Sequence, residues 1–290
     1  MNYNIIQDNN KIILKDMKNF DPKHIFECGQ AFRWKVEDDN SYTAIAYGRV
    51  INVKREKDDI VLKNTNLDDI KGIWYNYFDL GRDYDEIKRI LSEDDVLREA
   101  IKFGEGIRIL NQDPFETVIS FIISANNQIP RIKKSIELIA NHYGERIEGT
   151  EYYSFPTPEA LSKAKAEDLK EICRVGFRGE RIVETSKIIA RGDIDLNEIF
   201  NMPKEEGKKI LMTLPGVGPK VSECILLFAF KKSDAFPVDV WVKRVMEYFY
   251  LKEDTNEKLI GDYGAKLFGS LAGFAQQYLF YYARELGIGK

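Results

Sequence analysis

The chemistry of this sequence concentrates between Met202 and Tyr250. An amphipathic stretch, PKEEGKKILMTL, runs into Leu214-Pro215-Gly216-Val217-Gly218, and Pro219 opens a second stretch that reads as helix to about Lys231. Gly216 and Gly218 permit a tight hairpin whose backbone can approach another surface closely. The first amides of the next helix have no intrahelical partner, so they form an anion site for which phosphate is the natural occupant. Lys220 stands in the first turn of that helix, at the unfavourable end of its dipole for a cation. A lysine amine attacks carbon only when neutral. Lowering its pKa from ~10.4 by about 3 units takes roughly 4 kcal/mol of differential interaction, and helix dipole and desolvation both push that way. Contact with a phosphate is the other reading of Lys220 taken alone. Further on, Phe236-Pro237-Val238-Asp239-Val240-Trp241 leads directly into WVKRVMEYFY. Asp239 is therefore placed as an N-cap. At a cleft such a carboxylate can also stabilise a cationic sugar transition state or take a proton. A carboxylate beside Lys220 raises the lysine's pKa, and the sequence leaves that balance open.

Elements must position these residues. The first 65 or so residues read as an antiparallel meander, with strands at Lys11–Lys15, Ala31–Val36, Tyr42–Tyr47, Arg49–Lys54 and Ile60–Lys63 separated by turn clusters. One helix interrupts it, with Asp21 as N-cap, Pro22 in its first turn and Gly29 just past its end. From about Asp68 the apolar period becomes that of a helix. Asp113-Pro114, Thr157-Pro158 and Met202-Pro203 each start one, and the stretch from Ala265 to Gly287 reads as one long, largely buried helix. The expected class is α+β: a β-rich domain over 1–111 that contributes to a pocket, and a helical domain over 112–290 with the helix–hairpin–helix at about 203–231.

Composition excludes several alternatives. The chain has 290 residues, 44% hydrophobic and 31% charged, unlike a disordered protein. Cys28, Cys173 and Cys224 have no paired spacing, and His24 and His142 are the only histidines. A disulfide framework, a histidine metal site and a serine–histidine pair are not expected. No apolar run approaches the ~18 residues of a membrane span, and MNYNIIQDNN has no signal pattern. The expectation is a soluble, cytoplasmic monomer. A net charge of −4, with signs mixed along the chain, argues mildly against nucleic-acid binding.

The motifs overturn that last inference. LPGVGPKVSEC followed by Pro-Val-Asp resembles the helix-hairpin-helix, Gly/Pro-rich loop and aspartate motif of base-excision DNA glycosylases, and Lys220 is similar to the lysine of its bifunctional branch. The four C-terminal cysteines of the endonuclease III branch are missing after Cys224. Gly29-Gln30-Ala31-Phe32-Arg33-Trp34, Asn126-Asn127-Gln128-Ile129-Pro130-Arg131 and Gly176-Phe177-Arg178 are similar to segments of the 8-oxoguanine DNA glycosylases, as are Gln276 and Phe280 near the C-terminus. The resemblance implies that the Gly29 carbonyl accepts the N7 proton of the oxidised base, Gln276 reads its edge, and Phe280 and Cys224 lie on its two faces. It further implies that Asn126 fills the gap left by the base, Phe177 wedges the opposite strand, and Arg131 reads the opposite cytosine. Arg178, Gly216, Val217, Gly218 and Trp241 complete the expected DNA contacts. Trp241 stands where eukaryotic members usually have histidine, and Phe177 replaces a tyrosine.

The implied activity is excision of 8-oxoguanine opposite cytosine in double-stranded DNA, in the nucleoid or the nucleus. Lys220 would form a Schiff base that β-eliminates, and Asp239 would stabilise the sugar cation. No organic cofactor or catalytic metal is implied; the hairpin carbonyls could hold a monovalent cation. Two rivals stand beside this reading: a monofunctional glycosylase for alkylated bases, in which Asp239 activates water, and a non-enzymatic helix-hairpin-helix protein that only binds DNA.

Overall fold

A computed structural model describes residues 4–8 and 11–289; residues 1–3, 9, 10 and 290, included in the expected domain limits, lie outside the described residues. The apolar runs near the N-terminus form one antiparallel sheet: β1 (Ile5–Asp8), β2 (Lys11–Leu14), β3 (Trp34–Val36), β4 (Tyr42–Ala46), β5 (Arg49–Glu56) and β6 (Asp59–Lys63). Its spatial order is β1-β2-β6-β5-β4-β3. The expected meander therefore holds only from β3 to β6. β2 pairs with β6, Ile12 opposite Leu62 and Leu14 opposite Ile60, which puts four fully buried side chains on one face. The chain then crosses to the far edge through α1 (Pro22–Glu27), whose first turn is capped by Asp21 accepting from the Lys23 amide at 2.9 Å. β1 was not expected. The strand expected over Ala31–Val36 shrinks to Trp34–Val36, because Gly29 turns the chain at φ +79° and Gln30 is held away from the sheet.

The body is helical. α2 (Leu67–Asp69) and α3 (Tyr75–Tyr77) flank a π turn, followed by α4 (Tyr84–Leu91), α5 (Asp95–Phe103), α6 (Pro114–Ser124) and α7 (Ile129–Tyr143). Then come α8 (Pro158–Ser162), α9 (Ala166–Glu171), α10 (Gly179–Ala190), α11 (Lys204–Leu211) and α12 (Pro219–Ala229). α13 (Val240–Met246), α14 (Glu257–Phe268) and α15 (Ala272–Leu286) finish the chain. Asp113 and Thr157 cap α6 and α8 as their positions suggested. The single C-terminal helix is in fact two: Gly269, at φ +56°, ends α14, and a 3-10 turn at Gly269–Leu271 redirects the chain into α15. α13 also stops early, passing into a π turn at Glu247–Leu251 that ends on Lys252 in the left-handed region.

Two apolar cores result. One lies under the sheet and includes Ile12, Ile51, Leu62, Trp74 and Phe78. The other fills the helical body, and α4 and α5 join it although they precede residue 112. The seam between the cores is polar and buried. Gln30, fully buried, donates to the carbonyls of Ile25 (2.9 Å) and Arg108 (2.8 Å) and accepts from the Leu110 amide (2.9 Å). Arg108, 1% exposed, donates to the carbonyls of Phe78, Asn19 and Asp79 at 2.8, 2.9 and 2.5 Å. Arg33 pairs with Glu137 of α7 at 3.0 Å and donates to the Tyr153 carbonyl at 2.6 Å.

Gln30→Leu keeps the volume and strands the Leu110 amide and two carbonyls in this seam. Urea unfolding should show a loss of roughly 2–3 kcal/mol, the cost of leaving buried backbone groups unpaired; an unchanged midpoint would mean the seam rearranges around the leucine.

Candidate active site and nucleic-acid interface

The hairpin between α11 and α12 is built by a tight turn. The Val217 amide donates to the Leu214 carbonyl at 3.1 Å, and Gly216 has φ +91°. A Cβ at Gly216 would come 3.1 Å from Ile122 and 3.2 Å from Arg181, so the turn is seated against α6 and α10. Gly218 is extended, and a Cβ there would meet nothing within 4 Å; its smallness leaves open space in front of the helix start. No side chain caps α12, and Pro219 has no N–H to offer. The Lys220 and Val221 amides thus face outward at the positive end of the helix, an arrangement that suits an anion. The Val217 side chain is only 6% exposed. It packs inward, so the expected DNA contact of Val217 falls to its backbone.

Lys220 is half-buried. Its ammonium lies 5.6 Å from the centre of the Phe121 ring. That ring is set by Phe228, stacked at 5.5 Å, and by Phe32, edge-on at 5.6 Å. Phe121 was not singled out from sequence, and Phe32 entered only as a member of the Gly29–Trp34 segment. Cys224, one turn further along α12, has its thiol pushed up by burial, while the charge and hydrogen bond of Lys220 pull it down. Asp239 caps α13 as expected, accepting from the amides of Trp241 (3.0 Å) and Val242 (2.8 Å). Burial lifts its carboxyl above the ordinary aspartate range, opposed by the Val242 amide and by Lys220. The structure therefore brings Lys220, Cys224 and Asp239 into one electrostatic unit.

The second group of expected residues meets where α15 crosses the turn after α1. A Cβ on Gly29 would lie 2.9 Å from Phe280 Cε1, which puts the glycine directly against the ring. Gln277 Nε2 donates to the Cys28 carbonyl at 2.6 Å and fastens α15 to this turn. Gln276, one turn before Phe280, is 5% exposed, and its Oε1 has no hydrogen-bond partner among the described residues. α13, which begins at Asp239, packs along α15 and joins the two groups. A groove of about 630 Å³ also borders Lys220, between α11, α12 and α14, but none of Gly29, Cys224, Gln276 and Phe280 lines it.

The third group forms an exposed rim. Asn126 sits at φ +51° on the loop after α6, and Asn127 holds that loop by donating to the Ile123 carbonyl at 3.1 Å. Phe177 is 63% exposed, an unusual position for so large an apolar ring. The guanidinium groups of Arg178 and Arg181 flank it at 4.4 and 5.3 Å. Arg178, expected to contact DNA, is instead 7% exposed and bound to the protein. It donates to the carbonyls of Val175 (3.1 Å), Ala125 (2.5 Å) and Asn126 (3.2 Å). It thereby ties the Phe177 turn to the asparagine loop. Arg131 is exposed at the start of α7, and that helix is seated on the sheet by Lys133, whose ammonium lies 3.2 Å from the Trp34 ring centre. Trp241 is half-buried beside Asp239, with the Arg244 guanidinium 5.0 Å from its ring.

An uncapped helix start at a glycine hairpin, a lysine beside a half-buried carboxylate, and an exposed aromatic ring make a site suited to DNA. Residues 119–266 match the family model described as HhH-GPD superfamily base excision DNA repair protein, and the chain belongs to that superfamily. Residues 12–118 match the model of the 8-oxoguanine DNA glycosylase N-terminal domain. A probable N-glycosylase/DNA lyase of Methanothermobacter thermautotrophicus is 35% identical over 73% of this chain and 74% of its own length. The N-glycosylase/DNA lyase OGG1 of Arabidopsis thaliana is 28% identical over 88% of this chain and 75% of its own. The solved 8-oxoguanine glycosylase/lyase of Clostridium acetobutylicum, in complex with dsDNA containing cytosine opposite 8-oxoG, is 45% identical with a TM-score of 0.96, covering 99% of this chain and 100% of that one. Within the superfamily the chain is a DNA glycosylase with lyase activity, of the 8-oxoguanine group.

Gly29→Ala places a methyl group against Phe280 and strains a left-handed turn. Base release should fall about a hundredfold, the usual effect of displacing a bound group by ~1 Å. Cutting at a ready-made abasic site, which has no base to seat, should stay near the wild-type rate. Single-turnover assays on the two duplexes separate these outcomes.

Proposed function

We propose that this chain turns 8-oxoguanine opposite cytosine out of duplex DNA, displaces it with Lys220, and cuts the strand by β-elimination. The observation that carries the reading is the packing of Lys220 beside Asp239 and Cys224, on the helix that starts from an uncapped, phosphate-ready hairpin. Extruding a base costs a few kcal/mol of stacking and pairing. Phe177 and Asn126 offset that cost by occupying the vacated stack, with Arg131 on the widowed cytosine. The backbone of Gly216, Val217 and Gly218 and the first amides of α12 grip a phosphate nearby, and Trp241 closes the other side of Asp239.

In the base pocket, Gly29 and Phe280 hold the ring between a carbonyl and an aromatic face, Cys224 lies on the opposite face, and Gln276 offers its free Oε1 to a donor on the base edge. Lys220 Nζ, as the free amine, attacks C1′ while the bond to the base nitrogen breaks. The charge that develops on the sugar is positive, and the Asp239 carboxylate is the group positioned to stabilise it. Loss of a proton from the nitrogen to the departing base leaves an aminal. The C1′–O4′ bond then breaks, O4′ taking up a proton, to open the sugar as the Schiff base, and abstraction of a C2′ proton expels the 3′ phosphate. A monovalent cation on the hairpin would add positive charge at the gripped phosphate. The backbone carbonyls of the hairpin would supply its oxygens.

Borohydride trapping on a duplex with one 8-oxoguanine opposite cytosine tests the reading. Wild type should give a covalent protein–DNA adduct and Lys220→Gln none; base release without an adduct would assign the chain to hydrolytic chemistry. The pH profile carries a second test. Asp239 must be ionised to stabilise a cation, and its carboxyl is lifted by burial. The rate should therefore decline on acidification at a pH above the ordinary aspartate range, as protonation removes the charge. Asp239→Asn should abolish that limb and lower the plateau by about a hundredfold or more.

A further inference from the structure

We infer that Arg284 is a positioning residue of the base pocket, holding the Phe280 ring against Gly29 and so setting how firmly an extruded base is seated. The inference rests on the proposed base excision and names a residue that acts through two others. Gln276, Phe280 and Arg284 recur every fourth residue on α15 and share one face of it. The Arg284 guanidinium lies 5.1 Å from the Phe280 ring centre. Its Nη1 is 3.2 Å from where a Cβ on Gly29 would stand. Nη2 donates to the Glu27 carbonyl, and Nε and Nη2 reach Glu285 at 3.0 and 2.8 Å. The arginine is thus wedged between the stacking ring and the turn that carries Gly29.

Its hydrogen bonding differs from that of Arg108, although Arg33 Nη1 and Arg178 Nε are also buried without a partner among the described residues. What sets Arg284 apart is that its unpaired nitrogen lies beside Gly29 and Phe280. All three guanidinium nitrogens of Arg108 donate to carbonyls in the seam. Nη1 of Arg284 is buried with no hydrogen-bond partner among the described residues. An unpaired buried donor costs stability, which offsets part of what Nη2 gains from the Glu27 carbonyl. On the same face of α15, Gln276 Oε1 is also buried and unpartnered. The two polar atoms bracket Phe280 along the helix, and their arrangement points to a surface held ready for a polar ring.

Arg284→Met keeps an unbranched stem and removes the guanidinium; Arg284→Lys keeps the charge without the planar fork. Each is compared with wild type on an 8-oxoguanine duplex and, separately, on a duplex with a preformed abasic site. Base release should slow about tenfold in Arg284→Met and less in Arg284→Lys, strand cutting at the abasic site should hold its rate, and the melting temperature should change little. Base release at the wild-type rate in Arg284→Met would overturn the inference. So would parallel losses of base release, strand cutting and melting temperature, which would make Arg284 a scaffold residue. If wild type itself neither releases the base nor cuts, the failure belongs to the proposed function.

Discussion

The proposed reaction needs a negative charge to survive in a half-buried cleft, and the elements around Asp239 hold it there. Burial alone drives the Asp239 carboxyl toward its neutral form. Two backbone amides at the start of α13 and the Lys220 ammonium oppose that drive. Those amides exist because Asp239 is an N-cap, so the group that the chemistry needs also starts the helix that carries it. α13 in turn packs along α15, and α15 reaches the turn after α1. The cap, α13 and α15 thereby connect the Lys220 side of the site to the turn that carries Gly29.

Arginine does much of the remaining positioning, and mostly through carbonyl oxygens instead of carboxylates. Arg108 joins the sheet to the body and Arg178 ties the Phe177 turn to the asparagine loop, both through carbonyls, while Arg33 adds a carboxylate, pairing with Glu137 of α7 as well as donating to the Tyr153 carbonyl. A guanidinium suits this task because its donors lie in one rigid plane and reach several backbone segments at once. Segments distant in sequence, such as Asn126 and Phe177, meet because one buried side chain donates to both sides of the gap. The wedge and the loop can then move only together.

The sequence made the helix starts and the hairpin legible because their signals are local. Asp21, Asp113, Thr157 and Asp239 each stand one residue before a helix whose first amides their own side chains can reach. The order of strands was not legible, since nothing within β2 distinguishes β6 from β3 as its partner. The apparent single helix at the C-terminus misled for a related reason: Gly269 is one of several glycines there, and only its left-handed backbone marks the break. Among site residues, Lys220 and Asp239 announced themselves by their place at helix starts. Phe121, Phe32 and Arg284 did not, because an aromatic in an apolar run and an arginine on an amphipathic helix carry no mark of what they face. Arg178 and Val217 showed the converse: motif position indicated their neighbourhood but not which way their side chains point.

Burying arginines has a consequence for how the molecule meets undamaged DNA. The chain has 43 basic and 47 acidic residues, and Arg33, Arg108 and Arg178 are withdrawn from the surface to hold backbone together. What faces solvent is therefore poorer in positive charge than the composition implies. Long-range attraction to the phosphate backbone, which scales with the number of exposed cations, is correspondingly shallow.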